Sequence, residues 1–372
     1  VLTSDSEEEM AIEFEEEIRV PTKIKVIGLG GGGGNAVGRL MNRKLPQVDL
    51  IIANTDAQAL KSIRISQKIQ LGCKITKGLG SGADPEIGRN AALEDRERIR
   101  EALEEADIIF IAAGLGGGTG TGAAPVVAGI SRTLGTLTIA MVTLPFTFEG
   151  RKRALIAETG LKELKPKVDI LITIPNQRLV DLVKKEDSII QAFQPADDIL
   201  YHGVASLSDL VSFPGLVNVD FADIRAVMES KGKALLGFGE ARGEKRALEA
   251  TRLALANPLL EEKSIKGARG ALVNITGPKD LTLSEVNEVM NIIHREADDD
   301  AQIIFGAGID EGLRDLLKVT VIATGLEVPH RGEEKAKRIE TIDFEALLPK
   351  EHGIPTGKGE EYLDIPTFIR KK

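Results

Sequence analysis

A single cysteine, Cys73, stands in a chain of 372 residues, which excludes a disulfide within it. No apolar run approaches the roughly 20 residues that a membrane-spanning helix needs. Positive charge is short too. Lysine and arginine number 48 against 57 acids, a net charge of -9, and they are not gathered into the basic stripe that holds phosphate backbones. Nucleic acid is therefore not the expected main partner. The four histidines, His202, His294, His330 and His352, are too scattered to form a metal-ligand cluster. The first residues are acidic where a secretory leader would be basic and then apolar, so no targeting segment is expected and the chain reads as cytoplasmic.

Glycine, by contrast, occurs 39 times and is bunched. The densest bunch, Gly-Leu-Gly-Gly-Gly-Thr-Gly-Thr-Gly at 114–122, follows the apolar run Ile108 to Ala113 and precedes a helix-like stretch from Ala123 to Ile130. Strand, glycine loop and helix in that order suit a phosphate chain. Residues without Cβ let backbone N–H groups come close to a ligand, and the helix start adds the positive end of its dipole. Thr119 and Thr121 add hydroxyls, one for a phosphate oxygen and the other for a metal-bound water or the loop itself. A mere tight turn does not require so many glycines. No Gly-Lys-Ser/Thr follows, so the pattern is not a Walker loop.

A second glycine run, 28–35, sits between the strand-like 23–27 and a helix from Ala36 to Arg43, and a third glycine turn, 79–85, opens a long helix expected over Glu86 to Glu105. Gly28, Gly30 and Gly33 also satisfy a dinucleotide fingerprint, and Asp56 offers its ribose acid, so an NAD-dependent oxidoreductase stands as an alternative that leaves the loop at 114–122 unexplained. Strands alternating with helices describe a doubly wound, mostly parallel sheet with its ligand crevice at the strand carboxyl ends. Glu149 and Arg153 are i,i+4, either a surface ion pair or contacts to a sugar and phosphate. Asn176 ends another strand. A long central helix is expected over 188–210, where Phe193 can stack on a base and Asp198 can accept from N1–H and the 2-amino group of guanine. Asn218, Asp220 and Asp223 lie at a helix start, where acids cap or hold a cation and orient water. A smaller α+β domain follows over 231–326. The first 22 residues form an acidic arm, 327–361 reads as a flexible linker, and 362–372 restores apolar residues as a docking peptide.

Gly-Gly-Gly-Gly-Asn at 31–35, Asn-Thr-Asp at 54–56, Gly-Gly-Gly-Thr-Gly-Thr-Gly at 116–122, Asn-Val-Asp-Phe-Ala-Asp at 218–223 and Leu-Asp-Ile-Pro at 363–366 follow one another in the order of the FtsZ family of tubulin-like cell-division GTPases, which the chain resembles from about Lys23 onward. The resemblance implies that Gly31, Gly32, Asn35, Gly117, Gly118, Thr119 and Gly120 hold the phosphates of GTP or GDP. Asp56, Gly82, Thr121 and Gly122 belong to the same expected site. Glu149 and Arg153 would contact ribose and phosphate, and Asn176, Phe193 and Asp198 the guanine. Asn218, Asp220 and Asp223 match the family's synergy loop, which completes the active site of the next subunit in a head-to-tail homopolymer. Mg²⁺ would be held mainly by the phosphates. Leu363, Asp364, Ile365, Pro366, Phe368 and Ile369 would dock division proteins that tether filaments to the membrane at the division site. A GTP-binding structural filament protein with negligible hydrolysis is the remaining alternative.

Overall fold

A computed structural model describes residues 22–43, 45, 47–182, 188–212, 221–228, 233–256 and 265–326. The acidic arm, Asn218, Asp220, the linker and the docking peptide lie outside the described residues. The first half runs β1 (Ile24–Leu29), α1 (Gly30–Leu40), β2 (Val48–Asn54), α2 (Ala57–Ser62), β3 (Gln67–Gln70), α3 (Cys73–Thr76), α4 (Pro85–Glu94), α5 (Arg96–Leu103), β4 (Ile108–Gly114), α6 (Thr119–Thr133), β5 (Leu137–Leu144), α7 (Arg151–Leu164), β6 (Ile170–Pro175) and α8 (Gln177–Leu182). Then come α9 (Ile189–Ser212), α10 (Phe221–Met228), β7 (Lys233–Arg242), α11 (Arg246–Leu255), β8 (Gly270–Gly277), α12 (Leu283–Glu296), β9 (Gln302–Ile309) and β10 (Leu316–Leu326).

Strands β3-β2-β1-β4-β5-β6 are parallel neighbours in that order. A parallel sheet needs both faces covered, so its strands read as continuous apolar runs, and Ile108 to Ala113 are buried throughout. One face packs on α1, α9 and α10 through Val37, Val204 and Ile224. The other packs on α4 to α7 through Ala91, Ile99, Val127 and Ala157. In the second half, β7, β10 and β8 are antiparallel and β9 adds parallel to β8, over a third core with α11 and α12 built on Ala250, Val289 and Ile293. The doubly wound sheet, long central helix and smaller α+β half are as expected from the sequence. The two halves share one ten-stranded sheet, joined by the single parallel pair Leu171 and Lys233. The central helix α9 buries residues in a core that also takes in Leu236, Leu272 and Ile322 of the second half.

Three local expectations are corrected. The helix expected over Glu86 to Glu105 breaks at Asp95, whose buried carboxylate accepts from the Gly72 N–H at 2.7 Å and from Arg98 at 2.8 Å. The glycines at 30–34 and Thr119 to Gly122 are the first turns of α1 and α6 rather than loops ahead of them. Tertiary packing there overrides glycine's poor helix propensity. The short elements α2, β3 and α3 had no sequence signal of their own.

Candidate functional site

The strand order reverses between β1 and β4, so the crevice beyond their carboxyl ends is the topological switch point. Helices α1 and α6 start there, side by side. Gly33 is required by close approach, since a Cβ would fall 2.1 Å from the Ala112 carbonyl oxygen, and Gly116 turns with φ +98°. At Gly31 and Gly117, however, a Cβ would meet nothing within 4 Å. The cradle is thus packed on its protein side and open on the other, with two helix starts contributing N–H groups that have no partner within their own helices.

The hydroxyls divide as the loop chemistry allows. Thr121 Oγ1 accepts from the Gly116 N–H at 2.9 Å and so serves the loop. Thr119 Oγ1 is within hydrogen-bond distance of Thr55 Oγ1 (2.7 Å) and Ser81 Oγ (3.0 Å), all three buried. Thr55 and Ser81 were not anticipated, although Thr55 lies inside the Asn-Thr-Asp motif. Ser81 brings the third glycine turn to the same edge, beside Gly118, and Gly82 there has φ +59° and an open Cβ direction. Asp56 caps α2 by accepting from the N–H groups of Gln58 and Ala59. Glu149 pairs with Arg153 and also accepts from the Phe146 N–H at 2.9 Å. The Arg153 carbonyl oxygen would lie 3.0 Å from a Cβ on Gly116, which puts this pair on the rim of the cradle.

Behind the cradle is a cavity of ≈ 150 Å³ whose lining includes Gly32, Asn35, Arg39, Thr143, Asp197 and Leu200. Asp197, not Asp198, faces it, and Arg39 donates to the Asp197 carboxylate. Asp198 turns away to a second cavity of ≈ 520 Å³ between α9 and β7, where it accepts from Arg43 at 2.5 Å. Successive helical residues differ by about 100° in direction, so a shift of one position exchanges the two roles. Phe193 belongs to the first turns of α9, and its side chain lies outside the described residues. Asn176 is buried, and its Oδ1 has no hydrogen-bond partner. Such an orphan costs about 1–3 kcal/mol, which a ligand donor would recover.

The family model described as Tubulin/FtsZ family, GTPase domain, matches residues 23–184, and that described as FtsZ family, C-terminal domain, matches 232–327. The chain belongs to the tubulin/FtsZ family. Among curated relatives, a cell division protein FtsZ of Azotobacter vinelandii is 52% identical, covering 94% of this chain and 96% of the relative. One of Pseudomonas aeruginosa is 46% identical over 97% and 99%. A solved empty FtsZ dimer from M. jannaschii superposes with TM-score 0.77 at 45% identity, over 83% of this chain and 90% of that one. The chain is a GTPase of the FtsZ family, and the cradle offers three features that suit a nucleotide: the open Gly31 and Gly117, the orphan Asn176 acceptor, and the carboxylate of Asp197 in the cavity lining.

The remaining expected residues are elsewhere. Asp223 lies in the first turn of α10 and is exposed, while Asn218 and Asp220 lie outside the described residues. Arg225, on the next turn, donates to the Gly135 carbonyl at 3.0 Å, just ahead of the first residue of β5. Asp223 therefore belongs to the amino-end edge of the sheet, and the glycine cradle to its carboxyl-end edge. No helix of the described residues is long and apolar enough to cross a membrane.

Proposed function

We propose that the chain is a polymerising GTPase of the cell-division ring whose subunits stack head to tail, so that each nucleotide is hydrolysed between two of them. The observation that carries this reading is the separation of the cradle and Asp223. The eight residues of β5 stand between them, about 25 Å of strand, which no side chain crosses. Stacking brings the α10 end of one subunit over the cradle of the next, and a contact of this heterologous kind propagates into a filament. Asn218, Asp220 and Asp223 then orient water toward the γ-phosphate held by the neighbour. The relatives' description as cell division proteins and the dimeric solved neighbour support the same reading.

Within one subunit, Gly31, Gly32, Asn35 and residues Gly117 to Gly120 hold the phosphates, Thr119 adds its hydroxyl, and Glu149 with Arg153 closes the rim on ribose and phosphate. Asn176 Oδ1 accepts from the base. Asp197 takes the base-reading role expected of Asp198: its carboxylate accepts from N1–H and the 2-amino group, a pattern that adenine cannot supply. Mg²⁺ would be carried on the phosphates and would neutralise part of their charge. Residues 362–372 dock the proteins that tether filaments at the division site, and the chain works in the cytoplasm. Phosphate release from GTP, with ATP as control, measured over a series of protein concentrations tests this. Specific activity that rises above a threshold concentration is expected; constant specific activity would put the whole site in one chain. GTP bound without release at any concentration would leave a structural filament protein instead.

A further inference from the structure

The chain is acidic overall, yet one groove on its surface is basic. It has a volume of ≈ 250 Å³ and runs between α4 and α6, with Arg89, Arg96 and Lys167 around an apolar floor that includes Leu93, Val126 and Ile130. Arg89 is engaged by Glu163, and by Glu86 at 3.6 Å, and its buried Nε has no hydrogen-bond partner. The side chains of Arg96 and Lys167 make no ion pair among the described residues. Leu93, in the groove lining, is 47% exposed. None of the side chains lining this groove is among those proposed to hold GTP.

The chain carries a segment of matching chemistry. Residues 5–17 hold eight acids, Asp5, Glu7, Glu8, Glu9, Glu13, Glu15, Glu16 and Glu17, and apolar Met10, Ile12, Phe14 and Ile18 are interleaved with or follow them. Rim and segment are opposite in charge, and groove floor and segment both supply apolar side chains. The root of the segment is close. The Lys23 carbonyl accepts from the Asp107 N–H, the Asp107 carbonyl from Leu137, and the Thr138 carbonyl from Asp169, two residues beyond Lys167. Root and Asp169, near the Lys167 end of the groove, are thus three strand spacings apart along one edge, about 14 Å, whereas 21 residues reach up to about 70 Å.

We infer that the acidic N-terminal segment of the chain docks in this groove of its own subunit, its carboxylates on Arg96 and Lys167 and its Ile12 and Phe14 on the floor. Docked, it covers the basic patch.

Zero-length carbodiimide coupling of carboxylates to lysines tests this on the full chain, as an equal mixture of ¹⁴N and ¹⁵N protein at low salt. Peptides joining Lys167 to residues 5–17 are expected at about fivefold or more the yield at the exposed Lys61, isotopically unmixed, and suppressed at about 1 M salt, where the Debye length falls to about 3 Å. Gly129 lies on the groove floor with open space at its Cβ, so Gly129→Leu fills the floor while improving the helix. That variant, with an unchanged melting temperature, is expected to lose the Lys167 coupling at least about fivefold, back to the level of unspecific encounter. Yields equal at Lys167 and Lys61, or unchanged in Gly129→Leu, would overturn the inference. Isotopically mixed pairs would overturn it as well, by assigning the groove to another copy's segment.

Discussion

Replacing Asp197 with alanine separates two adjacent carboxylates that the sequence could not rank. In the structure Asp197 lines the cavity behind the glycine cradle and is paired with Arg39, while Asp198 faces another cavity and Arg43. Its side chain is 15% exposed, so bonds made to it are largely shielded from water. Hydrogen bonds to a charged group contribute about 1.5–3 kcal/mol each. Two from guanine give roughly 3 kcal/mol at the low end, about 150-fold in affinity. Asp197→Ala also leaves Arg39 unpaired beside the base, which adds to the loss. Competition binding with a fluorescent GTP analogue, at protein concentrations below assembly, reads the effect directly. GTP affinity is expected to fall by at least about 150-fold in Asp197→Ala and less than about threefold in Asp198→Ala. Inosine triphosphate, which lacks the 2-amino group, supplies a second readout. Wild type is expected to prefer GTP over it by about tenfold or more, and the preference to vanish in Asp197→Ala. If Asp198→Ala instead abolishes binding and preference while Asp197→Ala retains both, the base site is not the cavity described here.

Gly33→Ala puts a Cβ 2.1 Å from the Ala112 oxygen and is expected to destabilise by about 3 kcal/mol or prevent folding, whereas Gly31→Ala, with open space, keeps its melting temperature and weakens nucleotide binding. Equal melting temperatures for the two would refute the packing account. Arg246, with a side chain 8% exposed, donates to Glu285 and Asp280 and to the Asp315 carbonyl, so Arg246→Met is expected to lower urea stability by about 3 kcal/mol. At the cavity beside α9, burial pushes His202 down to about 3, and on the same helix burial pushes Asp209 up to about 6. Neutral burial of His202 contributes stability that is present above pH 6.5 and lost as pH falls toward 3. Asp209 acts with the opposite sign, since its ionised form is disfavoured in the fold and stability grows as pH falls from about 6 toward 3.8. Denaturation between those limits is therefore expected to show a steeper acid loss in Asp209→Asn than in wild type, and a shallower loss or a gain in His202→Phe. Identical pH slopes in both variants would contradict it.

β4 was legible in the sequence because a strand covered on both faces must be apolar at every position, and α9 because its burial period persisted over many turns. The glycine segments announced a ligand-approaching backbone, yet not their helical state: Gly33 sits in a helix because α1 lies directly against β4, a tertiary contact without local signature. Asp95 broke the expected helix through a bond to Gly72, distant in sequence. The hydroxyl set was half visible, Thr119 standing in the densest glycine run while Ser81 reached it only through folding. For Asp197 and Asp198 periodicity fixed the helix and not its rotation, and only packing against the sheet chose between them.

Complementation between two inactive variants tests the shared site most directly. Asp220→Ala removes an acid of the synergy loop and keeps the cradle. Gly117→Val fills the open side of the cradle, where its Cβ meets no protein atom, and keeps the acids. Each alone is expected to release almost no phosphate from GTP. Mixed in equal amounts, with co-sedimentation verifying that they assemble together, they form interfaces pairing an intact cradle with intact acids, and about a quarter of wild-type turnover is expected if the two co-assemble at random. Co-assembly with no recovery of turnover would contradict a site built from two subunits.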